Sequence, residues 1–101
     1  MPPPIPRVVG VDSETFLIAT GNLAPRVVCW SAAQRLFAGF DESLFLREEG
    51  LAFLRRQFLD PFAILAIHNA PFDIGVACAA APDLLPLVFD AYRGHRIRCS
   101  I

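Results

Sequence analysis

Two carboxylates separated by one residue, Asp12 and Glu14, are the first groups in the sequence that could do chemistry. They follow an apolar, β-branched run within residues 7–16, RVVGVDSETF, which is typical of a buried strand. Side chains at i and i+2 of a strand leave the same face, so both carboxylates would point into one small volume. A divalent cation such as Mg²⁺ or Mn²⁺ removes the repulsion between them. The pattern indicates a metal site, and the alternative is two solvated acids at a strand end.

A third carboxylate, Asp73, follows a second apolar segment. Residues 64–67, ILAI, are apolar throughout, which is typical of a strand buried on both faces of an α/β sheet. Asn69 fits the N-cap of the next helix and Pro71 its first turn, which places Asp73 near the positive end of the helix dipole. Ligands bind at the C-terminal edge of such sheets, where the first two acids also lie. Three acids would converge there if the strands are neighbours; alternatively, Asp73 only stabilises its helix.

The segment after the first acids predicts a small antiparallel meander. Residues 16–19 are expected to form a second strand, residues 20–25 a turn, and residues 26–32 a third strand. Short links between successive strands favour antiparallel pairing.

One amphipathic helix is predicted between the meander and the second apolar segment. Residues 39–42 have the composition of a loop, in which Asp41 or Ser43 can cap the following helix. Apolar residues then recur at helical spacing over residues 44–59, with charged residues on the other side. Asp60 and the proline after it end the helix.

Length and composition limit the classes of protein to which the chain can belong. Its 101 residues suit one small domain, and 54% hydrophobic residues suffice for a packed core. The formal net charge of −1 provides no general basic field for nucleic acid, so such contacts must be local. The only basic cluster is Arg93, Arg96 and Arg98, of which the last two would share a strand face and contact phosphates or solubilise an exposed edge.

The cysteines and the N-terminus indicate a cytoplasmic protein. Three cysteines without C-x-x-C spacing fit reduced thiols better than a disulfide framework or a zinc site. The proline-rich leader, residues 1–6, lacks the charged and apolar regions of a signal peptide. Every apolar run is too short to cross a membrane. We therefore expect no membrane association and a location in the cytoplasm.

Both acidic segments resemble motifs of a nuclease family. Residues 9–16, VGVDSETF, resemble the first motif, D-x-E-T, of the DEDD (DnaQ-like) 3′→5′ exonuclease superfamily. Residues 68–73, HNAPFD, resemble its second motif, with Asn and Asp four residues apart. Both are most similar to the proofreading exonuclease of phage-type family A DNA polymerases. The resemblance implies an α/β, ribonuclease H-like fold, in which a mixed sheet with an antiparallel three-strand meander is followed by helix, strand and helix.

The activity implied by this resemblance is two-metal hydrolysis of phosphodiesters at the 3′ end of single-stranded DNA, with Mg²⁺ or Mn²⁺ as cofactor. Asp12 would bridge both metals, and Glu14 and Asp73 would each complete a coordination sphere. One metal would generate hydroxide from water, and the other would stabilise the leaving 3′ oxygen. These three residues are the predicted catalytic and metal-binding set.

Substrate contacts are implied for residues that flank the acids. Thr15 and Phe16 match positions that contact the terminal nucleotide through the backbone and by stacking on the base. The alternative for Phe16 is a core aromatic in a β-hairpin. Asn69 matches a nucleotide contact, and its alternative, an N-cap, is favoured as its main role. His68 is expected to be structural, between strand and helix.

The family's third motif, a Tyr or His four residues before an Asp, is absent from this sequence. Tyr92 is followed four residues later by Arg96, and His95 by Cys99. We therefore expect residues 1–101 to be the N-terminal part of an exonuclease domain, truncated at its C-terminus, with a polymerase domain in the same parent chain. Activity would be impaired, because the fourth acid and the general base are missing. The alternative is a catalytically inactive ribonuclease H-like module that binds nucleic acid ends.

Overall fold

The computed structural model of the chain describes residues 7–16, 26–36 and 39–100. This part of the chain forms five strands, three α-helices and one short 3₁₀ turn. In chain order they are β1 (Arg7–Thr15), β2 (Val27–Leu36), β3 (Gly39–Leu46), α1 (Arg47–Leu59), β4 (Ala63–His68), α2 (Ala70–Ala80), the 3₁₀ turn (Pro82–Leu84), α3 (Leu85–Arg93) and β5 (Ile97–Ser100).

The five strands form one mixed sheet in the order β3-β2-β1-β4-β5. The first three strands pair antiparallel, β1 with β2 and β2 with β3. The parallel half is formed by β4, which lies between β1 and β5 and pairs parallel with both. An α/β fold with a mixed sheet, expected from the sequence, is confirmed, and β1 becomes the central strand between the antiparallel and parallel halves.

One face of the sheet forms the core with the helices. Side chains alternate along β1, where Val9 and Val11 are buried while Val8 and Asp12 are exposed. The buried set also includes Trp30, Leu65 and Ile67 of the sheet and residues from all three helices. Burying the apolar face in this way is the main favourable term in folding. None of the helices in the described ranges packs on the opposite face, which we call the open face.

Close packing of α1 on the sheet depends on Gly50. A Cβ atom placed there would lie 2.6 Å from Cγ and 2.9 Å from Cβ of Trp30, closer than side-chain carbons approach. Trp30 is only 1% exposed and has no room to move away. The glycine inside the helix, which propensity disfavours, is therefore explained by packing.

Two arginines stabilise the C-terminal end of α1. Arg96 donates to the carbonyl oxygens of Phe58 at 2.8 Å and Asp60 at 2.9 Å. Arg7 donates to the side chains of Gln57 at 2.6 Å and Asp60 at 2.8 Å. The Arg96 donors satisfy carbonyl groups that a helix end leaves without intrahelical partners, whereas Arg7 connects the same helix end to β1 through side chains. The predicted helix end at Asp60 is confirmed.

The predicted loop at residues 39–42 is wrong, and so is the predicted start of α1. Strand β3 occupies Gly39–Leu46 and pairs with β2 along its length, and the helix begins at Arg47. Neither Asp41 nor Ser43 caps α1, whose N-cap position is Leu46, without a side-chain hydrogen bond. Pairing with β2 outweighs the loop-like composition, because β-propensity depends strongly on neighbouring strands.

In the described residues the antiparallel meander is formed by β1, β2 and β3. Phe16 lies in a bend after β1, and residues 17–25, which held the rest of the predicted second strand and the turn, lie outside the described residues. The predicted third strand overlaps β2, which runs to Leu36. Helix α3 was not predicted. Its Pro86 lies in the first turn, where proline is tolerated.

All three cysteines are free in the structure. Burial raises the pKa of the Cys78 thiol. Among the helices of the described ranges, none combines the length and apolar character that crossing a membrane requires.

Candidate functional site

The two acidic motifs meet at one edge of the sheet. Strands β1 and β4 are parallel neighbours, with Val11 paired to Ile67. Asp12 and Glu14 follow Val11 on β1, and α2 begins at Ala70, directly after β4. Since the C-terminal ends of parallel neighbours lie at the same edge, the helix start that carries Asp73 lies beside the end of β1, as the sequence predicts.

Asp73 contacts β1 through Ser13, the residue between the two acids of the first motif. The Ser13 backbone N–H donates to Asp73 Oδ1 at 3.2 Å, and the Ser13 hydroxyl donates to the same oxygen. Asp73 is 5% exposed, so the contact is largely sheltered from water. The second motif is therefore joined to the first by two hydrogen bonds.

Electrostatics make the ionised form of Asp73 costly. Burial raises the pKa of the Asp73 carboxyl above its ordinary value of 3.8, and the nearby charge of Asp12 raises it further. The two hydrogen bonds from Ser13 and the charge of His68 act in the opposite direction without cancelling the rise in this pKa. Among the salt bridges of the described residues, none involves Asp73, so no arginine offsets its charge.

Asp12 and Glu14 share the open face of the sheet, as their spacing predicts. Asp12 pairs with Ser31 and Glu14 with Cys29, and both carboxylates are exposed. Ser13 pairs with Trp30 of the core. Asp73 therefore approaches the end of β1 from the helix-covered side, while the other two acids leave from the open side.

A groove of about 670 Å³ lies on the open face next to Asp12. Its lining includes the small residues Gly10, Ala33 and Ala66, together with Glu42 and Leu44. Its volume falls within the ~300–1,000 Å³ range of small-molecule sites. No pattern in the sequence predicts this groove, because it arises where Gly10, Ala33 and Ala66 of three neighbouring strands lie in register.

The donor chemistry of the three acids fits a hard divalent cation. Carboxylate oxygens are the ligands that Mg²⁺ and Mn²⁺ prefer, and a cation would offset the charges of Asp12 and the nearly buried Asp73. No coordination sphere is preformed: in the described part of the chain, no three Asp, Glu, His or Cys side chains are grouped so as to hold a metal ion. Binding would require the three carboxylates to draw together around the ion.

Phe16 and Thr15 lie beside the acids at the end of β1. Phe16 is 61% exposed, so its alternative assignment as a core aromatic is wrong. Thr15 is half-buried, and its hydroxyl donates to the carbonyl oxygen of Phe16 at 2.8 Å. The phenyl ring is thus available to a ligand at this edge of the sheet.

Asn69 occupies the N-cap position of α2, but its predicted role as a capping side chain is wrong. Its backbone is left-handed, with φ 53° and ψ 57°, and the side chain makes no capping hydrogen bond. Asparagine tolerates this conformation better than most residues. Its backbone N–H donates to the carbonyl oxygen of Ser100 at 2.8 Å, which connects the turn to β5. The exposed side chain is free of the capping role.

His68 and Arg98 complete the surroundings on the parallel side of the sheet. His68 ends β4, is exposed, and lies 3.4 Å from the Ser100 hydroxyl through Nδ1. Arg98 is exposed on β5, whereas Arg96 is held by backbone carbonyl oxygens. The predicted pairing of these arginines as a phosphate-binding face is therefore wrong.

Ser13 is the site residue that the sequence reasoning missed. Its position between two acids carried a signal, because a residue between two outward-pointing side chains of a strand points to the opposite face. That face is where a following helix packs. The contact with Asp73, 60 residues away along the chain, is visible only in the structure.

Comparison with models of known protein families finds no match to this chain, and a search of curated proteins finds no relative. The nuclease assignment therefore rests on the two motifs and their placement.

Proposed function

We propose that the chain carries the first two acidic motifs of a metal-dependent 3′→5′ exonuclease of the DEDD type, which hydrolyses phosphodiesters at DNA 3′ ends. The observation that carries this proposal is the contact between Asp73 and Ser13. It joins the second motif to the first at the C-terminal edge of β1 and β4, where α/β proteins bind their ligands.

The fold supports the proposal at the level of topology. An antiparallel meander, followed by parallel strands added on the other side of β1, is compatible with a ribonuclease H-like sheet. The spacing of the two motifs is also compatible with this sheet. The described chain between Glu14 and the helix that carries Asp73 forms β2, β3, α1 and β4.

In this proposal Asp12, Glu14 and Asp73 hold Mg²⁺ or Mn²⁺, which when bound supplies a hydroxide nucleophile and stabilises the leaving 3′ oxygen. Phe16 stacks on the terminal base, Thr15 contacts the nucleotide through its backbone, and Asn69 contacts it with its side chain. The substrate is the 3′ end of single-stranded DNA, and a polymerase domain in the same parent chain is the proposed partner, in the cytoplasm of a bacterium or phage-infected cell.

A second candidate is a ribonuclease H-like module that binds nucleic acid ends without cleaving them. It is favoured by the absence of a preformed group of three metal ligands in the described residues. The exposed Phe16 ring would serve such a module equally well, since stacking on a base requires no metal.

Trimming of a 5′-labelled single-stranded oligonucleotide, followed on a sequencing gel, tests the proposal. Because the third motif is absent from this sequence, we expect slow, impaired trimming from the 3′ end that requires Mn²⁺ or Mg²⁺, stops with chelator, and is absent for Asp12→Asn. Glu49→Gln, an exposed acid on α1, is the matched control and should cut normally. Binding of the oligonucleotide without trimming would support the second candidate, and neither binding nor trimming would contradict both.

A further inference from the structure

Helix α3 carries two apolar rows, of which the described part of the chain covers only one. The side chains of the inward row are all buried: Leu84, directly before the helix, Val88 and Ala91. Leu85, Phe89 and Tyr92 repeat the same spacing one residue further along, and they are 45%, 56% and 44% exposed. We call these three side chains the outer row. A helix that is apolar around most of its circumference is normally buried, so we expect the outer row to be covered in the assembled protein.

We propose that the outer row is a self-association surface, on which α3 of one copy of this chain packs antiparallel against α3 of a second copy. Side chains at i, i+4 and i+7 lie on one side of a helix, within about 60° of arc. This is the spacing of the anchors with which an amphipathic helix binds a partner. The inference goes beyond the proposed function, because α3 carries none of the proposed site residues.

The outer row is self-complementary about a twofold axis. With the axis through the middle of the row, Phe89 meets the partner's Phe89. Leu85 and Tyr92 lie at nearly equal distances from that point, so each Leu85 faces the partner's Tyr92. An aromatic pair at the centre contributes more than the area it buries. Every side chain of the row thus gains an apolar neighbour from the second copy.

The charges at the two ends of α3 favour a second copy in this orientation. Asp83 precedes the helix and Arg93 ends it, with side chains that are 64% and 80% exposed. An antiparallel pair brings the Arg93 end of each helix beside the Asp83 end of the other, and it also opposes the two helix dipoles. A parallel pair would bring like charges together at both ends. Complementary charges of this kind fix the orientation of an interface.

The size of the outer row sets the strength of the association. A fully buried aromatic side chain covers about 150–250 Å², and the row offers about half of that area from each of its two aromatics. The pair therefore buries less than the ~1,200 Å² below which contacts between proteins are weak and transient. We expect a monomer at low micromolar concentrations and a growing fraction of dimer as the concentration approaches millimolar.

Sedimentation equilibrium of the whole chain over this concentration range tests the inference. We expect the average mass of the parent chain to rise towards that of a dimer, and Phe89→Glu to remain monomeric because it places two acids at the twofold axis. Phe62→Glu is the matched control, because Phe62 is 45% exposed and precedes β4, outside α3. Tyr92→Gln replaces Phe89→Glu if that variant is unfolded by circular dichroism.

A charge reversal tests the antiparallel arrangement. Arg93→Glu should weaken dimer formation, because it places an acid beside the partner's Asp83, whereas Arg98→Glu, on exposed β5, should not. A parent chain that stays monomeric near millimolar concentration would overturn the inference, and so would unchanged association in folded Phe89→Glu or Tyr92→Gln. Association unaffected by Arg93→Glu would overturn the antiparallel pairing. A mass that rises beyond the dimer would show non-specific aggregation in its place.

Discussion

Val11 of β1 pairs with Ile67 of β4 in a parallel ladder, and the chemistry-bearing residues follow each of them directly. Asp12 and Glu14 continue β1 beyond this pair. Strand β4 ends at His68, and a single residue separates it from the helix that carries Asp73. Backbone pairing of two apolar residues thus sets the position of the proposed active site. Both side chains are buried, at 6% and 2% exposed, so the register is fixed by the core.

Replacement of Asp73 by asparagine should stabilise the fold at neutral pH. Burial raises the folded-state pKa of Asp73 above its ordinary value of 3.8, so the folded state favours the neutral carboxyl. The resulting contribution to stability is present below pH 3.8 and is lost as the pH rises through the folded-state pKa. Asparagine keeps an oxygen for Ser13 and removes the charge. Urea unfolding from pH 7 to pH 4 should show a gain for Asp73→Asn that shrinks as pH falls.

Asp41→Asn, an exposed acid on β3, is the control for this comparison and should change stability little. A loss of stability in Asp73→Asn at pH 7 would mean that the Ser13 hydrogen bonds outweigh the cost of burying the charge.

Alanine at two helix glycines should change stability in opposite directions. At Gly50 the new Cβ would lie 2.6 Å from Trp30 Cγ, so we expect a loss of about 1–3 kcal/mol from overpacking. At Gly75 of α2 a new Cβ would meet no atom within 4 Å beyond its chain neighbours and its own helix backbone, so we expect a gain of about 0.5–1 kcal/mol from helix propensity. Equal unfolding free energies for the two variants in urea would contradict the packing of α1 on Trp30.

Arg96 should contribute to stability and Arg98 should not. Arg96→Ala removes charged donors from the carbonyl oxygens of Phe58 and Asp60, which costs about 1.5–3 kcal/mol. Arg98 is exposed, and Arg98→Ala should change the free energy of unfolding by less than about 0.5 kcal/mol. Similar denaturation midpoints for the two variants would show that the α1 terminus does not depend on Arg96.

Phe16→Ala should weaken binding of a DNA 3′ end without affecting the fold. Its ring is 61% exposed, so little packing is lost. Stacking of an aromatic on a base contributes about 1–3 kcal/mol, so fluorescence anisotropy with a labelled oligonucleotide in chelator should show a clear loss of affinity. Phe62→Ala is the control, because that phenylalanine is 45% exposed and precedes β4 at the opposite end of the strand. Equal losses in both variants would indicate non-specific apolar binding.

The parts of the fold predicted correctly were those with strong local signals. The apolar runs around Val9 and Leu65 correctly predicted β1 and β4. Asp60 and the following proline correctly predicted the end of α1. Strand β3 was missed because its composition resembles a loop, and only pairing with β2 makes it a strand. Helix α3 was missed because Pro86, which lies in its first turn, looks like a helix breaker in the sequence.

The edge of the sheet at which the candidate residues lie was predicted from the sequence, but their arrangement relative to one another was not. Alternation placed Asp12 and Glu14 on one face, and the helix start placed Asp73 at the same edge of the sheet. The side from which Asp73 approaches depends on how α2 packs, a long-range property that spacing does not encode. For the same reason, sequence reasoning could not find the Ser13 contact or foresee the left-handed backbone of Asn69.

Paramagnetic broadening of amide NMR signals by substoichiometric Mn²⁺ tests the central claim most directly, because it locates the ion. If the two motifs form one metal site, the signals of Asp12, Glu14 and Asp73 should broaden together, and Asp12→Asn should abolish the effect at all three. Broadening that spares Asp73, or that spreads over exposed acids such as Glu48 and Asp90, would contradict the claim that these motifs hold a common cation.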